Sequence, residues 1–451
     1  MPTPVHTIGL QITAVVISAI LYYYLFFISI RSLTLFPAVL FAGLFLLHAL
    51  LYRLSTQYRP LFFIALLSAI GFRLLALFAI PNLSDDFYRF IWDGRLLASG
   101  INPYADLPTD FMNGSLNLPQ GIDCLLYEQL NSPLYYTVYP PVCQFIFWVS
   151  AVLAPNSIPG AVFIMKLFLL LCELGSIGLL YRLLTCYGLP VHRVLLYALN
   201  PMVIAEVMGN IHFEGAMLFF LLVMVYSRLV VKNIPISAVA MGLAVCSKLI
   251  PLIFMPFMLL TVRPKTALVY SAVVGLVMGI CFLPFLSGEV VNALVSSSAL
   301  YYNKFEFNAG IYYLLRQLGY WLYGYNIIAW LGKVMALLSV LVILATSFCN
   351  KQVRGMGVIG VLLWIYASYI LFATTVHPWY IVPLVAFCLF TPYRYPVVWS
   401  AMVLLSYSAY YHNRYTENLY LVASSYLVVM VFMLWEVWGK PLAQTTKIAK
   451  G

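Results

Sequence analysis

Long uninterrupted apolar runs dominate this chain. Residues 8–30, 33–54 and 60–80 form three of them, separated only by short polar turns. A run of 18 or more apolar residues is long enough to cross the roughly 30 Å hydrocarbon core of a bilayer as a helix. Further runs follow at 160–181, 193–209, 213–230, 234–247, 249–262, 267–287, 326–348, 355–373, 378–392, 396–411 and 418–438. The expectation is an all-α polytopic membrane protein of about 12–14 spans. Several runs are short, and the pair around CSKLIP (Cys246–Pro251) reads as a broken hairpin. VCQFIFWVSAVLA (Val142–Ala154) reads as a re-entrant or interfacial helix. Only 8% of residues are charged, against about 25% in soluble domains. No stretch is long and polar enough for a separate soluble domain, so 1–451 reads as one integral membrane domain.

The net charge of +10 does not point to nucleic acid. Lys and Arg stand singly or in pairs between apolar runs, which is the pattern of topology signals, not of a clustered binding patch. With the N-terminus in the cytoplasm, the inner loops carry most of the 24 basic residues. The opposite side collects most of the acids. It also holds a first long loop (81–141), a second (288–325), and polar joints at 210–214, 375–379 and 410–417. Function is therefore expected on the outer face, in a bacterial inner membrane facing the periplasm. The start, MPTPVHTIGLQ, lacks the basic region of a signal peptide and reads as part of a retained helix. The eight cysteines include no CxxC. A Cys124–Cys143 disulfide is one possibility that spacing cannot decide.

The most polar stretch is SDDFYRFIWDGRLLASGINPY, Ser84–Tyr104. It predicts a helix with Ser84 as N-cap and Asp85 and Asp86 favoured by the helix dipole. Gly100 would end the helix, and Asn102-Pro103 would turn the chain. Asp86, Arg89 and Asp93 share one face. Phe87, Phe90, Ile91 and Leu97 offer a surface for the membrane interface. A carboxylate at that boundary can serve as general base toward a hydroxyl, or simply pair with Arg89.

Other polar groups sit in the joints. Glu206, His212 and Glu214 suit a polar pocket wall, or local partners in an interfacial joint, better than a metal site. His377, ahead of Pro378 and Trp379, is either an interfacial aromatic anchor or a donor to phosphate. Lys248, in the broken pair, is costly unless it meets water or an anion. Lys166 and Glu173 share a face of one span and could pair with each other or with Arg73. The 34 tyrosines are mostly explained by aromatic belts.

Several segments form an ordered set: YRFIWDGRLLASGINPY, YPPVCQ, LNPMVIAEVMGNIHFEGAM, SKLIP, FEFNAGIYYLLR and HPWYIVPL. The set resembles the GT-C-type glycosyltransferases, and within them the bacterial and archaeal polyprenyl-phosphate-sugar-dependent enzymes, often mannosyltransferases. The chain departs from many of these in placing three spans before the long loop. The resemblance implies an inverting transfer from a lipid-phosphate sugar to a glycan or lipid-linked acceptor. It implies Asp85 or Asp86 as general base, with position at the membrane edge favouring Asp85. Arg89, Lys248, Arg316, His377 and Arg414 become candidates to meet the phosphate. Asp93, Arg95, Tyr139, Glu206, His212, Glu214 and Trp379 become candidates for the substrate pocket. The acids are adjacent rather than spaced, so no obligatory metal and no other cofactor is expected. Two rival readings remain: a transporter or flippase, which predicts internal repeats, and an O-antigen-type polymerase or ligase, which would lean on Arg and His.

Overall fold

The computed structural model describes residues 4–114, 118–119, 121–287, 305–349, 357–413 and 415–439, with the backbone alone at His412 and Asn413. Prolines and caps divide the apolar chain into helices. α1 (Pro4–Tyr23) runs on through a π-turn (Tyr24–Ile28), and α2 (Leu35–Ser55) and α3 (Arg59–Ala76) follow it. α4 (Asp86–Ala98) and α5 (Pro141–Leu153) flank the long loop. α6 (Ile158–Cys186) starts on a Ser157 cap whose hydroxyl accepts from the Gly160 N–H. α7 (Val191–Ala198) and α8 (Pro201–Gly209) are bent by 50° where Asn200-Pro201 interrupts them. Asn200 stabilises that break by capping Met202 and Val203.

α9 (Glu214–Val231), α10 (Ile234–Ser247), α11 (Ile250–Leu260) and α12 (Pro264–Phe285) complete the matching run of helices. The remainder comprises α13 (Ile311–Tyr323), α14 (Ile328–Phe348), α15 (Gly357–Phe372), α16 (Pro378–Cys388), α17 (Tyr395–Met402) and α18 (Leu419–Gly439). A 3₁₀ stretch, Val403–Asn413, extends α17. Among the described residues the only β contact is the isolated bridge between Phe307 and Thr375. The chain is an all-α polytopic membrane protein.

Eight helices among the described residues are long and apolar enough to cross a bilayer, or nine if α7 and α8 form one bent span. This is fewer than expected. The runs at 234–247, 249–262, 355–373 and 378–392 are shorter apolar helices, and 396–411 is a short helix continued as 3₁₀. Proline is one cause: Pro235, Pro251, Pro378 and Pro396 each restart a helix near its first turn, because proline lacks the N–H that would continue the preceding one. Burial is the other. Every residue of Val382–Cys388 is buried, so hydropathy there reports a protein core and not a lipid-facing span.

Charges inside this core are matched. Arg73 and Glu173 are fully buried and pair at 2.8 Å, linking α3 to α6. Arg73 also donates to the Ala198 carbonyl at 2.6 Å, and Tyr197 donates to Glu173 at 2.6 Å, which adds α7. Lys166 does not join Glu173. Its ammonium donates instead to the carbonyls of Ala76 and Ala79 at 2.9 and 2.7 Å, satisfying the end of α3. Cys124 is exposed and Cys143 buried, both as free thiols. The Cys143 thiol donates to the Ser247 carbonyl at 3.1 Å, so it faces α10 and not the long loop.

Removing one partner of a buried pair strands the other. Glu173→Ala should therefore destabilise the fold by about 3–5 kcal/mol, read as a lowered unfolding midpoint of the purified protein in detergent. An unchanged midpoint would exclude a structural role for the pair.

Candidate active site at the Asp85 end of the bundle

The site is built where α3 hands over to α4. Asp85, rather than Ser84, holds the N-cap position, and its side chain caps nothing. The reason is a distant partner: Arg31, in the turn between α1 and α2, forms an ion pair with the Asp85 carboxylate. The Arg31 guanidinium lies over the Tyr410 ring, 4.3 Å from its centroid. Ser84 makes only a long contact, accepting from the Asp86 N–H at 3.4 Å. Gly100 does end the helix, with φ +77°.

α4 does not lie on the membrane surface. Phe87, Phe90 and Ile91 are buried. Phe90 stacks on Phe147 of α5 at 4.7 Å and meets Phe213 edge-on at 6.0 Å. Gly94 makes this packing possible: a Cβ there would stand 2.3 Å from the Phe147 carbonyl oxygen.

Asp86 is held differently from Asp85. Asn131 donates to one carboxylate oxygen at 2.7 Å, and the Tyr139 hydroxyl approaches the other at 3.4 Å. Burial raises the Asp86 pKa above the ordinary Asp value. The Asp85 charge raises it further, while Asn131, Lys248 and Tyr139 pull it down. Arg89 pairs with Asp93 at 2.8 Å and donates to the Ser132 and Tyr135 carbonyls at 3.1 and 2.9 Å. It therefore fastens the long loop to α4, yet it also lines the cavity and its Nη2 has no protein partner. Asp93 accepts from Thr137 and, at 3.0 Å, from Gln144. It is a buried strut and not a pocket wall. Arg95 is likewise structural, donating to the Gly121 carbonyl.

These residues surround a cavity of about 400 Å³. Asp85, Asp86, Arg89, Tyr139, Lys248, His377 and Trp379 all line it, as the sequence suggested. Arg31, Asn131, Phe307, Tyr380, Tyr407, Tyr410 and Tyr415 line it too, and sequence reasoning missed them. Arg31 had one available signal, a lone cation in a short polar turn; the others sit among many similar residues.

Glu206, His212 and Glu214 do not form the wall itself but stand behind it. Tyr407 donates to Glu206 at 2.7 Å, and His212 Nε2 lies 3.5 Å from the same carboxylate. The His212 ring stacks on Trp379 at 3.5 Å. His377 stacks on Trp379 at 4.4 Å and on Phe307 at 4.8 Å. Burial, reinforced by Lys248, lowers the His377 pKa to about 3 and the His212 pKa well below its usual value. Both shifts favour the neutral imidazole. Glu214, fully buried, pairs with Lys248 at 3.1 Å. Arg316 is taken by Glu306 and lies 4.2 Å over the Tyr313 ring. It does not line the cavity, because that carboxylate is nearer. Arg414 and residues 288–304 of the second loop lie outside the described residues. Among the described residues no group of three or more His, Cys, Asp or Glu is placed to hold a metal ion.

A second groove, about 380 Å³, meets the first at Val138, Lys248 and Tyr380. Its walls are largely apolar, from Ile250 and Ile253 of α11, Val340 and Ile343 of α14, and Phe372 of α15. Lys248 thus stands at the junction of a polar chamber and an apolar one.

Residues 14–264 match the family described as "Alpha-(1->6)-mannopyranosyltransferase, N-terminal domain". The chain belongs to this family. The matched stretch runs from α1 to the start of α12. It contains Asp85, Asp86, Tyr139, Glu214 and Lys248 of this mannopyranosyltransferase-family site. Over 146 residues the chain is 29% identical to "Alpha-(1->6)-mannopyranosyltransferase B" of Corynebacterium glutamicum. That alignment covers 32% of this chain and 23% of the relative, so the chain spans under a quarter of the relative's length there. No solved structure matches the chain.

The Lys248–Glu214 pair can be tested apart from any activity. Lys248→Met leaves the Glu214 carboxylate buried and uncompensated, which should cost several kcal/mol, about 3–5. Adding Glu214→Gln should recover much of that loss. Thermal unfolding of both single variants and the double variant measures the coupling, and strict additivity would rule the pairing out.

Proposed function

We propose that the protein is an inverting mannosyltransferase. It moves a sugar from a polyprenyl-phosphate donor to a glycan or lipid-linked acceptor, on the outer face of the cytoplasmic membrane. One observation carries this reading. A carboxylate with a raised pKa, Asp86, shares a cavity with Lys248, and Lys248 marks the point where that cavity opens into an apolar groove. A sugar joined through one phosphate to a long hydrocarbon needs that sequence of environments. Family membership supports the sugar and the reaction type, and the excess of inner-loop cations supports the orientation.

The steps follow from the residues. The lipid chain lies in the apolar groove with its phosphate at Lys248. A hydroxyl of the acceptor is positioned at Asp86. As its oxygen bonds to the anomeric carbon, its proton passes to Asp86, and the bond from that carbon to the phosphate oxygen breaks. The transition state has oxocarbenium character, which the nearby carboxylates favour. The leaving phosphate anion is met by the Lys248 ammonium and by Arg89 Nη2, with neutral His377 as a hydrogen-bond donor. Tyr139 and Tyr410 offer ring faces to the sugar, while Trp379, stacked between His212 and His377, offers its edge. This scheme calls on no metal and no other cofactor.

The geometry favours Asp86 over Asp85 as the base. Asp85 is committed to its ion pair with Arg31, which occupies the carboxylate that would otherwise face the acceptor. Its charge helps to raise the Asp86 pKa. The sequence argument from membrane-edge position had favoured Asp85.

Transfer from a synthetic polyprenyl-phosphate mannose by the purified protein tests the assignment. Asp86→Asn should lower kcat by about 100- to 10,000-fold, the usual worth of a general base, and Asp85→Asn by much less. Full activity in Asp86→Asn would sink the mechanism, and no transfer from any lipid-phosphate sugar would favour a transporter.

The pH profile gives a separate check. Asp86 must be ionised to accept a proton, so activity should fall as pH drops through its raised pKa, above the ordinary Asp range. Asn131 stabilises the charged form, so Asn131→Ala should move this acidic limb to still higher pH. A limb that stays in place would mean that another group governs it.

A further inference from the structure

A third cavity, of about 680 Å³, lies along α5 and shares no lining residue with the groove at Lys248. That volume is within the range of ligand cavities, roughly 300–1,000 Å³. Its walls come from α5 (Phe145, Ile146, Trp148), from Phe168 and Phe220 of α6 and α9, and from Ile280 of α12. No charged side chain lines it. Its rim is continuous with exposed apolar groups: Phe145 is 56% exposed, Ile280 61% and Leu283 65%. Such a surface on a membrane-spanning helix faces hydrocarbon, so the cavity is filled from the bilayer and not from water.

Two polar side chains break this apolar lining: Asn102 is satisfied, donating to the Phe285 carbonyl at 3.0 Å and accepting from the Tyr104 N–H at 3.1 Å, and Gln144 is not. Gln144, at the first turn of α5, lines the cavity and is fully buried. Its amide orientation is fixed, because Nε2 donates to the Asp93 carboxylate at 3.0 Å and an oxygen there would be repelled. Nε2 also approaches Thr137 Oγ1 at 3.2 Å and the Tyr139 carbonyl at 3.4 Å. Oε1 is left as a buried acceptor with no partner. Leaving a buried polar atom unpaired costs roughly 1–3 kcal/mol. A donor at the head of an otherwise apolar ligand, reaching Oε1 with a small side-chain shift, relieves that cost.

We infer that this cavity is a binding site for a bilayer phospholipid, with one acyl chain between α5, α9 and α12 and a headgroup hydroxyl donating to Gln144 Oε1. The occupant braces the back of the active-site wall. Gln144 holds the Tyr139 carbonyl, and the Tyr139 hydroxyl faces Asp86. The binding claim does not depend on the transferase reading, since it needs no reaction.

The test uses the full chain in lipid nanodiscs with phosphatidylglycerol carrying an acyl-chain diazirine. Photolysis should label residues 145–148 and 280–285 well above the exposed apolar residues of α2. Ile280→Trp and Cys281→Phe fill the cavity and should abolish that labelling, while labelling along α14 persists and shows that the variants are folded. A phosphatidylcholine probe, whose head lacks a donor, should label the cavity less than phosphatidylglycerol, and Gln144→Leu should erase the difference. Labelling no stronger than on α2, or unchanged by both filling substitutions, overturns the site. Labelling only by a diazirine polyprenyl phosphate overturns it in favour of a second isoprenoid groove.

Discussion

Everything at the Asp85 end rests on the ion pair between Arg73 and Glu173. Two charges in a lipid-embedded core are tolerable only when matched, since lipid supplies no compensating hydrogen bonds. Here the match draws in the Ala198 carbonyl and the Tyr197 hydroxyl, so α3, α6 and α7 are fixed together at mid-bundle. Lys166, earlier in α6, donates to the Ala76 carbonyl at the end of α3 and to the Ala79 carbonyl just beyond it. The chain leaves α3 a few residues later and enters α4 at Asp86. The position of the carboxylates is thus set by polar contacts deep in the bundle, and not by the flexible course of a surface loop.

From this frame follows a division of labour between adjacent aspartates. They share a backbone environment and differ in their partners. Asp85 meets a full cation from another turn of the chain. Asp86 meets neutral donors and feels Lys248 only as a weaker influence. Identical side chains are thereby given different partners, one an ion pair and the other neutral donors in the cavity. Lys248 is handled in the mirror sense, since Glu214 pairs with it from behind where it lines both chambers.

Much of this was legible in the sequence, for local reasons. The helix from Asp86 to the Ser99-Gly100 stop follows from its acidic start and from glycine preference, although Asp85 and not Ser84 holds the N-cap position, and apolar length identified the long spans. Segment order carried the family. The failures are non-local. Nothing in the neighbourhood of Asp85 announces Arg31, which lies 54 residues away. Nothing near Arg89 announces that it also fastens the long loop, because its bonds to Ser132 and Tyr135 form only after that loop folds back. Phe87, Phe90 and Ile91 looked membrane-facing because period alone cannot say whether lipid or α5 covers an apolar stripe. Runs such as 378–392 resembled spans because a fully buried helix and a lipid-facing one have the same hydropathy.

Gly94 has a mechanical consequence. With no room for even a methyl group between α4 and the backbone of α5, the two helices cannot slide or roll independently. One carries Asp86, and the other begins just after Tyr139. The chamber between them therefore keeps Asp86 and its aromatic wall in fixed register, and Asn131, Ser132, Tyr135 and Thr137 of the connecting loop close on that rigid face through their bonds to Asp86, Arg89 and Asp93.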